Sequence, residues 1–538
     1  MKKSIIRFAV LILTVAITGT ACQKGNLVNN PNEAGSTNTI PVSLIFNRIA
    51  NEIYNGGGVM DGVAGEQSEA PFQQEHRWNQ FFLSNYSYYW GLNTYNWSVS
   101  ASMYSVLKYL EQMESQIKTQ YGTASNPYTA LDKFFRAYLF VWYTQRVGDI
   151  PMSQAGNTSI LKPAYDSQHD VYKNCLALLD TANTLMAPVV AANATATVAG
   201  DIYGLTTAQW QKVINTYKLR VLISLSKRAV DNADLNIPTQ FANIINNPTQ
   251  YPIMASNSDN LAFHYNATYN KYPTFPGDAP YDFYTSMSDT YLNITTANQD
   301  PRTFVVATPS LYQVDTLHLA LNNFAAYVGA DINLSQATLL VNSTNQRYSF
   351  PSNLRYFQDA SGATEEPAII IGYPEMCFNI AEAANLGWVS GSLASTWYTN
   401  GIKGSLNLYG IADGSVLTIG DQKGNKLGTV TASVTTFLNN ANVVYAGNNN
   451  NGLTQILEQK YVAFWQNSGW EAYYNWRRTG VPAFSQGGAG IGTPTNQIPL
   501  RWQYPTDEST YNTANWQSAI TSQYGGTDDI TKAMWLIR

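Results

Sequence analysis

Three groups of side chains in this 538-residue chain have types and spacing suited to chemistry. The first is a thiol. Met1-Lys2-Lys3 leads into an apolar run from Phe8 to Ile17, and small residues follow up to Cys22. A basic start, an apolar stretch and small residues before a cut form a secretory leader. A cysteine at the cut offers its sulfur to a lipid. Removal of residues 1–21 would leave Cys22 as the acylated first residue. Each buried methylene of its acyl chains adds about 0.8 kcal/mol of membrane affinity. Gly19 stands where such signals usually carry a branched residue, and cutting near Ala21 would instead release an ordinary secreted protein.

The second group is aromatic. Asn85 to Asn96 reads NYSYYWGLNTYN, and a further run from Tyr265 to Tyr284 carries Tyr269, Tyr272, Phe275 and Tyr281. Neither run has helical spacing, so one buried stripe cannot absorb all the rings. Sugar rings present flat C–H faces to aromatic side chains and hydroxyl edges to amides. On that chemistry Trp90, Tyr89 and Tyr95 are the leading glycan-gripping candidates, followed by Tyr88, Tyr269 and Tyr272. The competing reading is that these rings anchor loops on the scaffold. Trp97 is read as core, at the entry of a helix.

The third group is acid and base, and it points to no catalyst. Glycoside hydrolysis needs two carboxylates about 5 to 9.5 Å apart. Thirty-six acids supply many accidental pairs. No nucleophile elbow, zinc-binding helix or phosphate loop is present. His76, His169, His264 and His318 stand in unrelated contexts without metal spacing. Asp278 and Asp282 offer oxygens to calcium without the spacing of a calcium loop, so no cofactor is expected.

Composition narrows the class. Only 12% of residues are charged, against the roughly 25% usual in soluble domains. The net charge of −5 becomes more negative once a leader bearing Lys2, Lys3 and Arg7 is removed. A mildly acidic chain without a basic stripe is a poor nucleic-acid binder. A surface solvated by Asn, Ser, Thr and Tyr suits neutral polar ligands. Cys175 and Cys377 fall at apolar positions of predicted helices and are expected to be free, buried thiols.

The elements that must position these groups are mostly helices. Residues 22–40 lack periodicity and read as a tether. Leu131, Phe134, Phe135, Tyr138, Leu139 and Trp142 make the strongest helical stripe. Similar stripes run through 103–117, 171–185, 210–225, 376–388 and 453–464. The spacing predicts a mainly α fold of stacked, tetratricopeptide-like helix pairs over 41–246 and 373–480. A loop-rich region spans 247–372 with Ala368–Ile371 as a short strand. Residues 420–428 form a hairpin, and 481–538 are a C-terminal segment of the same domain. No run of about 18 apolar residues beyond the leader is expected to cross a bilayer.

Six fragments in order then resemble one family. They are Arg146-Val147-Gly148-Asp149-Ile150-Pro151, Asp300-Pro301-Arg302, the helix Glu375 to Trp388, Trp397 to Ile402, Asn475 to Pro482, and Ile498 to Pro505. Together they are similar to the SusD/RagB-type outer-membrane lipoproteins, with Met152 and Gln154 departing from the usual wording after the GDIP turn. The resemblance implies a non-enzymatic, lipid-anchored surface protein of Bacteroidetes-type bacteria. It implies a SusC-type TonB-dependent transporter as partner and oligosaccharides as cargo. Peptide cargo and, further off, a secreted glycan-cleaving enzyme stay as alternatives. The motif residues themselves are expected to be structural, with Asp149 capping a turn and Arg478 pairing with a buried acid.

Overall fold

The computed structural model describes residues 39–55, 70–95, 97, 99–100, 102–268, 270–274, 284–357, 366–390, 394–487 and 497–538. The leader, Cys22 and most of the tether lie outside the described residues, as do Asp278 and Asp282. Helices α1 (Val42–Asn55), α2 (Tyr104–Tyr121), α3 (Pro127–Val147), α4 (Gln168–Ala192) and α5 (Thr207–Ser224) pack each against the next in chain order. Then α6 (Tyr373–Asn385) packs on α5, and α7 (Ala394–Leu408) and α8 (Asn450–Ala463) pack on α6. A shorter helix, α9 (Glu471–Thr479), leans on α5. This is the expected stack of tetratricopeptide-like helix pairs.

Local sequence sets the ends of these helices. Asn126 accepts the Thr129 N–H at 3.0 Å ahead of Pro127, which opens α3 with its φ already helical. Thr206 and Gln209 cap α5 reciprocally, each side chain taking the other's backbone N–H. Helix α2 starts at Tyr104 rather than at Trp97, because the chain before it is held extended: Ser100 N–H donates to the Gln503 carbonyl at 2.9 Å. Trp97 is core as expected, stacked 4.7 Å from Trp502. Gly401 of α7 explains its motif, since a Cβ there would stand 2.7 Å from the Phe378 ring of α6. Helix α4 is long and apolar enough to cross a membrane. Here it is amphipathic, with Val171, Cys175, Leu179 and Met186 in the core. Cys175 and Cys377 are both free and buried.

Among the described residues three two-stranded ladders sit on this scaffold. Strand β1 (Phe82–Ser84) pairs antiparallel with β3 (Thr285–Met287), and β2 (Leu261–Phe263) pairs with β4 (Ala368–Ile371). The hairpin of β5 (Val416–Gly420) and β6 (Lys426–Thr431) turns through Asp421, whose carboxylate accepts the Lys423 and Asn425 N–H groups.

The motif residues are structural. Asp149 accepts the N–H of Gln168, the first residue of α4, at 2.7 Å. Its own N–H goes to Gln523, and its carbonyl takes the Tyr504 hydroxyl. The buried Arg146 guanidinium lies over the rings of Trp142 at 4.0 Å and Trp502 at 4.4 Å. Glu375 of α6 grips Arg220 of α5 at 2.6 and 2.5 Å, with Glu471 of α9 3.8 Å from the same guanidinium. Glu382 holds Arg478 at 2.5 and 3.0 Å, and Asn475 takes a hydrogen bond from Lys460 at 2.8 Å. Burial pulls the Lys460 ammonium down to about 8. Asp300 and Arg302 are fully buried against each other, and Arg302 also reaches Ser405 and Gln459.

Removing one partner of a buried pair strands the other charge. Arg478→Met should therefore cost about 3–5 kcal/mol in urea unfolding, and adding Glu382→Met should recover part of that loss. A single-variant loss under about 1 kcal/mol would show that the pair does not hold α6 to α9. Asp149 gives a pH signature. Burial pushes its carboxyl up to about 6, above the unfolded value near 3.9. Its contribution is thus fully present below about pH 4 and is lost as pH rises through about 6. Asp149→Asn keeps the acceptor and cannot ionise. Relative to the parent chain it should gain roughly 1–3 kcal/mol between pH 4 and pH 7, read from paired melts.

Candidate functional site

The two aromatic runs meet at one place. Pairing of β1 with β3 sets Ser84 opposite Thr285, and just beyond it the Asn85 N–H donates to the Tyr284 carbonyl at 2.6 Å. The side chains leaving the end of this ladder are Tyr86 and Tyr284, which stack with ring centres 4.7 Å apart and planes 27° from parallel. Tyr88 leans on Tyr86 at 6.2 Å and is 78% exposed. The described rings therefore form a short run that leaves a paired ladder as a stacked pair and reaches the exposed Tyr88, tilted against Tyr86. Sequence reasoning did not single out Tyr86 or Tyr284. Their signal was position, since each borders a short strand whose partner lies about 200 residues away.

The loop carrying this stack is braced by amides. Asn93 is buried, accepts the Ser84 N–H at 2.8 Å and donates to the Ser84 carbonyl at 2.8 Å, taking the place of a strand partner. Asn85 donates to Ser286 Oγ at 2.7 Å, and Gln336 donates to the Gly91 carbonyl at 2.9 Å. Gly91 turns the chain with φ +70° and ψ −170°, a conformation essentially restricted to glycine. Between these braces a single helical turn, Ser87–Trp90, lifts Tyr88 outward.

The six candidate rings divide. Tyr88 is on the exposed stack. Tyr89 and Trp90 belong to the same turn, and their side chains lie outside the described residues, as does Tyr269. Tyr95 and Tyr272 are corrected to core. Tyr95 is 1% exposed, donates its hydroxyl to the Trp78 carbonyl and packs against Trp78 and Trp97. Burial holds its phenol far above the usual range. Tyr272 is 3% exposed and meets Tyr265 edge-on at 5.1 Å. Tyrosine can seal a buried carbonyl with its hydroxyl as readily as it can face a ligand, as Tyr95 does, while Tyr272 is held by ring packing.

Asp289 follows β3 at the end away from Tyr284. Burial first, and the Asp331 carboxylate second, push its carboxyl up to about 6. Among the described residues no group of three or more His, Cys, Asp or Glu is arranged to hold a metal. His76 is fully buried, which drops its pKa to about 3 and keeps it neutral.

The comparisons with known proteins agree with this architecture. A SusD homologue from Bacteroides fragilis superposes with a TM-score of 0.76 at 26% identity, covering 92% of this chain and 100% of its own. A second from the same species gives 0.72 at 28% identity over 92% and 99%. A chitin-binding SusD homologue from Flavobacterium johnsoniae shares the fold, with a TM-score of 0.65 at 18% identity over 92% and 98%. No curated protein matches the chain. The profile of the SusD-like family, described as starch-binding and associating with the outer membrane, matches residues 33–505, and the chain belongs to that family.

Proposed function

We propose that this protein is a non-catalytic capture protein for neutral oligosaccharides. In this reading it is held at the outer-membrane surface by a lipid on Cys22, and it passes its cargo to a SusC-type TonB-dependent transporter. The observation that carries the reading is the ring stack of Tyr284, Tyr86 and Tyr88, fixed at its base and open at its tip. An exposed aromatic face is costly to leave in water and well matched to the C–H face of a sugar. The sparse charge around the molecule favours an uncharged ligand, and the family description and the chitin-binding neighbour are consistent with a glycan. Trp90 and Tyr89, carried on the same turn as Tyr88, stay in this reading as glycan-binding candidates. Capture needs only micromolar to millimolar affinity, about −8 to −4 kcal/mol, because release must follow.

Tyr88→Ala should weaken oligosaccharide binding by about threefold to tenfold in calorimetry, the effect of one stacked ring, with the melting temperature unchanged. Binding should change little between low and high salt. A steep salt dependence, or binding of peptides in place of glycans, would sink the neutral-glycan reading. Prolonged incubation should return oligosaccharides of unaltered length. Any cleavage product that disappears with Asp289→Asn would reassign the site as an enzyme. Cys22→Ser should move the protein from the membrane fraction to the soluble one, read by fractionation of the producing cells.

A further inference from the structure

A cavity of about 460 Å³ opens between one face of α2 and the chain after the Asp149 turn. It falls in the size range of small-molecule sites, roughly 300–1,000 Å³, and shares no residue with the ring stack. Its walls are aliphatic: Leu107, Pro151, Ile160 and Pro163. Such walls offer a sugar no flat face beyond the Tyr104 ring, whose hydroxyl is already committed to the Pro151 carbonyl at 2.6 Å.

The rim has a polarity of its own. Its two acids are each engaged through one oxygen, the second having no hydrogen bond among the described residues: Glu111 with Arg136 at 2.7 Å and Glu508 with the Tyr165 hydroxyl at 2.6 Å. The donors are not. Gln154 and Asn157 line the cavity and each spend their side-chain oxygen on a backbone N–H, of Ala164 and Ser159, while neither amide NH₂ group is hydrogen-bonded among the described residues. Thr158 and Lys108 also line the opening, and among the described residues no intramolecular bond engages either side chain. An apolar chamber with two amide donors, a hydroxyl and an ammonium on its rim, and with Glu111 paired to Arg136, can take an apolar body bearing an anionic acceptor.

We propose that this cavity is a second binding site, selective for a small aliphatic carboxylate. The hydrocarbon would lie against Leu107 and Ile160, and the carboxylate would meet Lys108 and the Gln154 and Asn157 amides. The site would let the protein hold an acidic amphiphile independently of any glycan.

Calorimetric titration of the full chain with octanoate tests this. Saturable one-site binding is expected at about 1 mM or tighter, with no comparable binding of acetate, octylammonium or octyl glucoside. Lys108→Ala, an exposed change that leaves the fold intact, should weaken octanoate about fivefold to tenfold. Ile160→Trp, which fills the chamber, should abolish it, with circular dichroism confirming the fold. Neither variant should alter glycan binding, so failure here is distinguishable from failure of the ring-stack reading. Absence of saturation would overturn the proposal. So would equal binding of octylammonium or octyl glucoside, or indifference to both substitutions.

Discussion

The architecture depends on charges taken out of water. Arg220, Glu375, Glu382, Lys460, Glu471 and Arg478 come from α5, α6, α8 and α9 and meet in the interior. An ion left alone there costs several kcal/mol, so each helix has one rotation in which its charged residue finds a partner. Apolar stripes alone would tolerate sliding between neighbours. The ion pairs do not, and they set the relative placement of four helices that are distant in sequence.

That placement reaches the ring stack through a short series of hydrogen bonds. The Tyr461 hydroxyl of α8 donates to the carbonyls of Asn79 and Gln80, both at 2.9 Å. The Asn79 side chain joins the Gly469 carbonyl to the Tyr473 N–H of α9 at 2.7 and 3.0 Å. Two residues after Gln80 the chain enters β1, and from β1 it enters the loop that carries Tyr86 and Tyr88. The exposed rings are thus tied to the buried ion network by side-chain bonds to the backbone, which fix the chain that leads into them.

Much of the scaffold was legible because its signal is periodic. The stripes of 131–142 and 210–225 fell where the core lies, and the hairpin at 420–428 and the strand Ala368–Ile371 are present. The Arg478 partnership was also readable, since a buried guanidinium demands an acid. Two kinds of feature were not. The start of α2 was misplaced by seven residues because Ser100 bonds to Gln503, some 400 positions away, and no local pattern reports that. Tyr95 and Tyr272 were read as platforms because ring type and loop context are the same for an anchor and a platform. Only burial, set by long-range packing, separates them. The converse error hid Tyr86 and Tyr284, whose meeting depends on strand register.

The cage around Arg146 has a temporal consequence. Its guanidinium is flanked by Trp142, one turn back on the same helix, and by Trp502, whose N–H also closes on the Arg146 carbonyl at 2.9 Å. During synthesis the first half of the solenoid emerges long before Trp502 arrives. Early helices can pair locally, but this cation stays half-uncovered until nearly the whole polypeptide is through. Contacts of such long separation form late and slowly, so the covering of this cation reports the meeting of the chain's two halves.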